Sequence, residues 1–318
     1  MASIRQPGRI NGNTILIDTG MDGIAGAAAV YLMEGEKKCL IDGGTRSEAP
    51  RLVRTLRELN SFPLDIIIAT HAHYDHVQGI PYLIKQAARE QKQIQVMASE
   101  KTIRLLDDPF YNKVFNQGPL EKIEAIIPLK EGDTVDLGGT TLRIYEVPGH
   151  CDDHIAILDE KNKNLFLGDA IGDNIHDHVF LPAFMPPSCN PAAFIASIEK
   201  LSKIDYDSVC LSHFGYIYGD EAQSILDKAV LTWNTWWQLF EENSEKLNDI
   251  DYLSSVVLKD TGLRIPEIQI VSLKTKALIG MLNVWNKLKR GKRQSVGELL
   301  LREILERLSK GYKTCTGR

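Results

Sequence analysis

The stretch Thr70-His71-Ala72-His73-Tyr74-Asp75-His76 decides how this chain is read. Three of the eight histidines fall in its last six residues, with Asp75 among them. The segment just before it, Leu64 to Ala69, is a near-continuous apolar run, as expected of a strand buried on both faces. Gly79 to Glu90, just after it, reads as a helix with Pro81 tolerated near its start. His71 and His73 follow the strand at a spacing of two and can point to the same side. Asp75 and His76 lie at the turn into the helix. Four ligand-type side chains therefore stand above the end of a buried strand, where ligand clefts of α/β folds commonly lie.

The same logic recurs further along. His150 follows the predicted strand Thr141 to Val147 through Pro148-Gly149. Asp169 follows Asn164 to Leu167, and His213 follows Ser208 to Leu211. Each is an imidazole or carboxylate just past a strand. These donor types suit zinc, iron or manganese. No cysteine is in the set, which argues against a closed structural zinc site. Seven donors exceed what one tetrahedral ion needs and suit two ions that share a bridge, an arrangement that polarises an electrophile and makes hydroxide near neutral pH.

The surrounding chain alternates strands and helices up to Gly219. Thr14 to Thr19, Ala27 to Met33 and Lys38 to Asp42 read as strands, with Glu34 to Lys37 as a hairpin turn. Ser47 to Asn60 and Asn190 to Ser202 read as helices, and Ile94 to Ala98 and His154 to Leu158 as further strands. Residues 99–126 are mixed and read as an insertion. Beyond Gly219 the pattern is helical: Asp220 to Lys246 with Trp233, Trp236 and Trp237, then Ile268 to Leu288, then Ser295 to Leu308. A boundary near Gly219 divides a catalytic domain, 1–219, from a helical extension, 220–318, whose apolar faces need the core as a partner.

The 318 residues are 43% hydrophobic and 25% charged, with a net charge of -5, which describes an ordinary globular chain and argues against a general nucleic-acid binder. The five cysteines, Cys39, Cys151, Cys189, Cys210 and Cys315, are scattered and odd in number, so no disulfide framework is expected and a reducing compartment fits. No signal-peptide core or membrane-length apolar run is seen, and the expected location is the cytoplasm.

These motifs together resemble those of the metallo-β-lactamase-fold hydrolases, in the lactonase and glyoxalase II branch. The family's His-x-His-x-Asp-His is matched by His71, His73, Asp75 and His76, and its later motifs by Pro148-Gly149-His150, Gly168-Asp169 and Ser212-His213. Its Asp-Gly strand end is matched by Asp42-Gly43. The resemblance spans roughly Thr14 to Gly219. It implies an αββα sandwich of the α/β class and two divalent metal ions, zinc first and iron or manganese as alternatives. His71, His73 and His150 would hold one ion, and Asp75, His76 and His213 the other, with Asp169 bridging and Asp42 behind. It also implies a hydrolase in which metal-bound hydroxide attacks the carbonyl of an ester, lactone or thioester while Asp75 handles a proton. In acyl-homoserine lactonases a tyrosine acid follows the bridging aspartate by three residues; here that position is Gly172. The glutathione-binding pattern of glyoxalase II is not recognisable in the tail.

A nuclease or phosphodiesterase on the same scaffold is the alternative, supported by the basic cluster Lys287, Lys289, Arg290, Lys292 and Arg293. A mononuclear iron dioxygenase is a weaker one. His154 is expected to play a structural hydrogen-bonding part beside the site. His176 and His178, in a loop dense in ligand types, and Tyr216 and Tyr218, close behind His213, are candidates for substrate contact. Phe184 to Pro187 is a candidate apolar wall. The tryptophan helix is a core or dimer element, and the partners expected are a small-molecule substrate and a second copy of the chain through the C-terminal helices.

Overall fold

A computed structural model describes residues 3–176, 179–261, 263, 269–270, 272, 275–277, 279–280 and 295–317, with the backbone alone for 3–4, 175–176 and 179. Two seven-stranded sheets form its centre. The first runs in sequence order through β2 (Gly8–Arg9), β3 (Thr14–Asp18), β4 (Ala29–Met33), β5 (Cys39–Ile41), β6 (Ile66–Ile68), β7 (Gln95–Ser99) and β8 (Ile127–Leu129). It is antiparallel up to β5 and parallel from there on. The second has the spatial order β1 (Ser3–Ile4), β16 (Gly215–Tyr218), β15 (Ser208–Leu211), β12 (Asn164–Gly168), β11 (Ile155–Asp159), β10 (Thr141–Glu146) and β9 (Thr134–Asp136). Only β12 and β15 are parallel there.

The triple isoleucine of β6 explains the layering. Ile66 and Ile68 pack between the sheets with Ile41, Ile144, Ile157 and Phe166. Ile67 points the other way, into a cluster with Leu52, Leu56 and Leu83 from α1 (Ala49–Glu58) and α3 (Ile80–Arg89). Both faces of the strand are buried, which is why its sequence does not alternate. A third cluster joins the outer face of the second sheet to α5 (Pro191–Leu201), α6 (Asp220–Glu242), α7 (Ile250–Asp260) and α8 (Val296–Thr316). The result is four layers, helix–sheet–sheet–helix, as expected. Two short helices, α2 (Tyr74–Val77) and α4 (Glu100–Leu106), follow β6 and β7.

Several elements differ from the sequence reading. Asp173–His176 and Val179–Leu181 pair as antiparallel strands, β13 and β14, where the sequence suggested an open loop. α7 was not foreseen. α8 runs eight residues past Leu308, to Thr316; it starts with a capping box between Ser295 and Glu298 and ends at Gly317, φ 68. The expected helix Ile268 to Leu288 lies largely outside the described residues, as does the basic cluster from Lys287 to Arg293.

The cysteine reading is corrected. Cys189 and Cys315 are joined as a disulfide with Cα atoms 5.3 Å apart, an ordinary spacing for such a bond. It links α8 to the segment before α5. The scattered cysteines therefore no longer argue for a reducing compartment. Among the described residues, no helix is long and apolar enough to cross a membrane. Trp233 and Trp236 are buried at 3% exposure within the chain and offer no dimer surface.

Candidate metal centre

The strands of both sheets deliver their ends to one edge of the sandwich. Asp42 follows β5, the His71 to His76 segment follows β6, Asp169 follows β12 and His213 follows β15. His150 comes from the connection between β10 and β11. All seven donors expected from the sequence meet there.

Asp169 sits at the middle. Its Oδ2 lies 3.2 Å from His76 Nε2, 3.6 Å from His213 Nε2, 3.8 Å from His150 Nε2 and 3.9 Å from His71 Nε2. Gly168 makes this approach possible. It adopts φ 52, and a Cβ there would stand 2.8 Å from the His154 ring. On the other side, Asp75 Oδ2 is 3.2 Å from His213 Nε2. His73 Nδ1 and His150 Nε2 face each other at 3.0 Å.

The outward nitrogens are already committed. His150 Nδ1 donates to the Ala183 carbonyl and His213 Nδ1 to the Ala27 carbonyl, each at 2.7 Å. A carbonyl only accepts, so Nδ1 carries a proton in both rings and Nε2 is the atom turned to the centre. Asp42 does the same for His76: Oδ2 lies 2.7 Å from Nδ1. Asp42 is itself held by Thr70 N, Thr70 Oγ1 and Ser212 Oγ.

The ring His71–His73 is gripped from behind. The Ala72 amide donates to Asp153 Oδ2 at 2.8 Å. Asn112 takes the Tyr74 amide on Oδ1 and gives Nδ2 to the Ala72 carbonyl, so it brackets His73 on both sides. Phe115 packs edge-on to the His73 ring. Asn112, Phe115 and Asp153 were not singled out from the sequence, because nothing local marks them.

Electrostatics divide the histidines. Burial pushes His71 and His73 well below the usual imidazole range, helped by neighbouring histidines. Burial also lowers His150. For His76 and His213 burial acts in the same sense, but carboxylates outweigh it. Asp169 and Asp42 hold His76 well above 6.5, and Asp169, Asp75 and Asp173 raise His213 to about 10. The same pairing keeps Asp75 and Asp169 below the ordinary carboxylate range against the cost of burial.

The donor set fits divalent ions. His71 Nε2 and Asp169 Oδ1 are buried without a hydrogen-bond partner, a costly arrangement unless something else binds them. Donor atoms lie within 4.8 Å of one another in three groups: His71, His73, His150 with Cys151; His71, His76, Asp169; and Asp75, His76, His213. Cys151 thus stands beside the first group.

The remaining candidates separate. His154 Nε2 accepts from the Asp169 amide at 3.1 Å, and its ring stacks on His71. Tyr216 packs toward the inter-sheet core and Tyr218 is 42% exposed; neither is among the residues lining the cavity over the donors. The His176 side chain and all of His178 lie outside the described residues. Of the predicted apolar wall, Met185 lines the cavity, whereas Phe184 is buried against Trp233. Asp173 also lines it, with its carboxyl raised to about 7 by burial. It stands in the ligand-dense loop noted in the sequence, so its signal was present but unread.

A family model described as the metallo-beta-lactamase superfamily matches residues 23–213, more than half of the chain. The chain belongs to the metallo-beta-lactamase superfamily, and the metal-dependent hydrolase expected from the sequence is the enzyme class that this membership supports. Among curated relatives, it is 30% identical over 148 residues to a hydroxyacylglutathione hydrolase of Francisella tularensis subsp. tularensis, covering 46% of this chain and 48% of the relative. It is 29% identical over 124 residues to one of Methylobacterium nodulans, covering 39% and 40%. The chain thus spans less than half the length of these relatives. Among solved structures, an archaeal superfamily protein from Sulfolobus tokodaii is 19% identical with TM-score 0.56, covering 98% of this chain and 97% of that one. A subclass B3 metallo-beta-lactamase from a soil metagenome library is 19% identical with TM-score 0.58, covering 77% and 99%. At such identities the likeness is one of fold.

Proposed function

We propose that this protein is a dinuclear metal-dependent hydrolase of esters, lactones or thioesters, acting on a small molecule. One observation carries the reading: six donors gather around Asp169 at the floor of a cavity, and the buried His71 Nε2 and Asp169 Oδ1 lack any hydrogen-bond partner. His71, His73 and His150 would hold one ion, Asp75, His76 and His213 the second, and Asp169 both. Zinc suits these nitrogen and oxygen donors, and two such ions supply Lewis acidity and a nucleophile at neutral pH.

The chain's own residues then have distinct tasks. Asp42, Ala183 and Ala27 orient the imidazoles. Asp75, held beside His213, can take the proton released when water adds to the carbonyl. Asp173, in the cavity wall, can return a proton to the departing oxygen or sulfur, the task for which Gly172 offers no side chain. We further propose that residues 1–219 form the catalytic domain and 220–318 an extension that helps to shape the cavity.

The test is a substrate panel of lactones, thioesters, p-nitrophenyl esters, bis-phosphodiesters and single-stranded RNA. Turnover of carbonyl substrates, lost in His73→Ala and Asp75→Ala, is expected. Turnover confined to phosphodiesters would favour the nuclease alternative instead.

A further inference from the structure

Helix α8 carries two stripes. Leu301, Leu305, Leu308 and Tyr312 are buried in the core and explain why the helix docks. Leu300, Glu303, Ile304 and Arg307 recur at i, i+3, i+4 and i+7 on the adjoining face. Of this second stripe, Ile304 also packs against the edge of the core. The stripe lines the cavity that ends at Asp75, Asp169 and His213. Facing it are Met21, Ile24, Phe115 and Met185.

Two features fix α8 against this cavity. Gly311 lets the helix lie directly on the Phe184–Met185 backbone: a Cβ there would stand 2.3 Å from the Phe184 carbonyl oxygen. The Cys189–Cys315 bond ties the next turn to the same segment.

The one lysine or arginine among the described residues of the wall, Arg307, is already paired. Its Nη2 lies 2.6 Å from Glu303 Oε1, and its Nη1 donates to the Tyr74 hydroxyl at 3.2 Å. Its guanidinium also lies 5.6 Å from the centre of the Phe115 ring. Asp22 and Asp173 add carboxyl groups, and no cation, to the same lining. An anionic substituent would meet carboxyl groups and a committed guanidinium. An apolar one would meet Ile24, Phe115, Met185, Leu300 and Ile304.

We infer that this wall is the subsite for an uncharged apolar substituent of the substrate, an alkyl or aryl chain, with Leu300 and Ile304 as its specificity-determining residues. The inference rests on the hydrolase reading for its placement beside the reacting carbonyl. It separates this chain from relatives named for glutathione conjugates, since glutathione carries two carboxylates.

Two measurements test it on the full-length, metal-loaded protein. The first is calorimetric binding of linear methyl ketones of three to eight carbons, which offer a carbonyl and no leaving group. Affinity is expected to rise about three- to four-fold per added methylene until the cavity is filled. Ile304→Asp should flatten that rise and Ile304→Leu should keep it; should Ile304→Asp fail to fold, Ile304→Ala is expected to weaken octanone binding by at least about five-fold. The second is kcat/KM for acetyl and hexanoyl p-nitrophenyl esters and a hydroxyacyl-glutathione thioester. The hexanoyl ester should exceed both others by about ten-fold. Ketone affinity independent of length, or preference for the glutathione thioester, would overturn the inference. Graded ketone binding without turnover of any ester or thioester would uphold the subsite and sink the hydrolase reading. Turnover without chain-length dependence would do the reverse.

Discussion

Asp42 Oδ2 stands 2.7 Å from Nδ1 of His76, and both side chains are 2% exposed. The contact assigns the proton to Nδ1 and turns Nε2 toward Asp169. Carboxylates that orient ligating histidines in this way typically contribute 10–100-fold to metal affinity. Asp42→Asn, which keeps the shape but not the charge, should weaken binding of the more weakly held ion by about that factor. Competition against a chromogenic chelator measures it. An unchanged affinity would remove Asp42 from the orienting role.

Asp173 is the carboxyl assigned to the leaving group. Asp173→Asn should lower kcat for alkyl esters by about 100-fold, and for p-nitrophenyl esters, whose leaving group needs no proton, by less than about ten-fold. Equal losses on both substrates would point to a purely structural part for Asp173.

Metal binding should release protons from one half of the centre. His213, raised to about 10, and His76, also raised, are charged at pH 7.5 in the metal-free protein. A metal ligand must be a neutral imidazole, so loading should expel about one to two protons, chiefly from these two rings. Calorimetry in buffers of different ionisation enthalpy reads the number directly. His71, His73 and His150 are held below 6.5 and are already neutral. The metal-free fold follows from the same shifts. Raised groups stabilise it fully below pH 6.5 and lose that contribution as pH climbs through about 10, while depressed ones destabilise it as pH falls below 6.5. A metal-free protein whose stability does not change from pH 7 to 10 would contradict the His213 assignment.

The Cys189–Cys315 bond closes a loop of 126 residues' separation. Reduction, or Cys189→Ser, should cost about 2–4 kcal/mol in urea unfolding. Identical unfolding midpoints with and without reductant would show that the bond does not form in solution.

The sequence announced most of the centre because its donors are local events. His71 to His76 fill one window after an apolar strand, and Asp169 and His213 each follow their own strand end. What supports them is not local. Asn112 reaches Ala72 and Tyr74 across about forty residues, and Asp153 reaches Ala72 across 81. No spacing rule connects such pairs. Arg307, 233 residues from Tyr74, was hidden for a second reason. Its helix was read as generic amphipathic packing, and only the fold shows that a second stripe faces the cavity. The cysteine pairing was missed because spacing alone does not give connectivity.

The central claim is a hydrolytic centre that needs two ions. Its most direct test is to strip the protein with a chelator, add back zinc stepwise, and follow hydrolysis of a p-nitrophenyl ester. Activity should rise with added metal and level off at two equivalents per chain, as the assignment of the seven donors to two ions sharing Asp169 requires. A plateau at one equivalent, or hydrolysis indifferent to metal, would contradict the account.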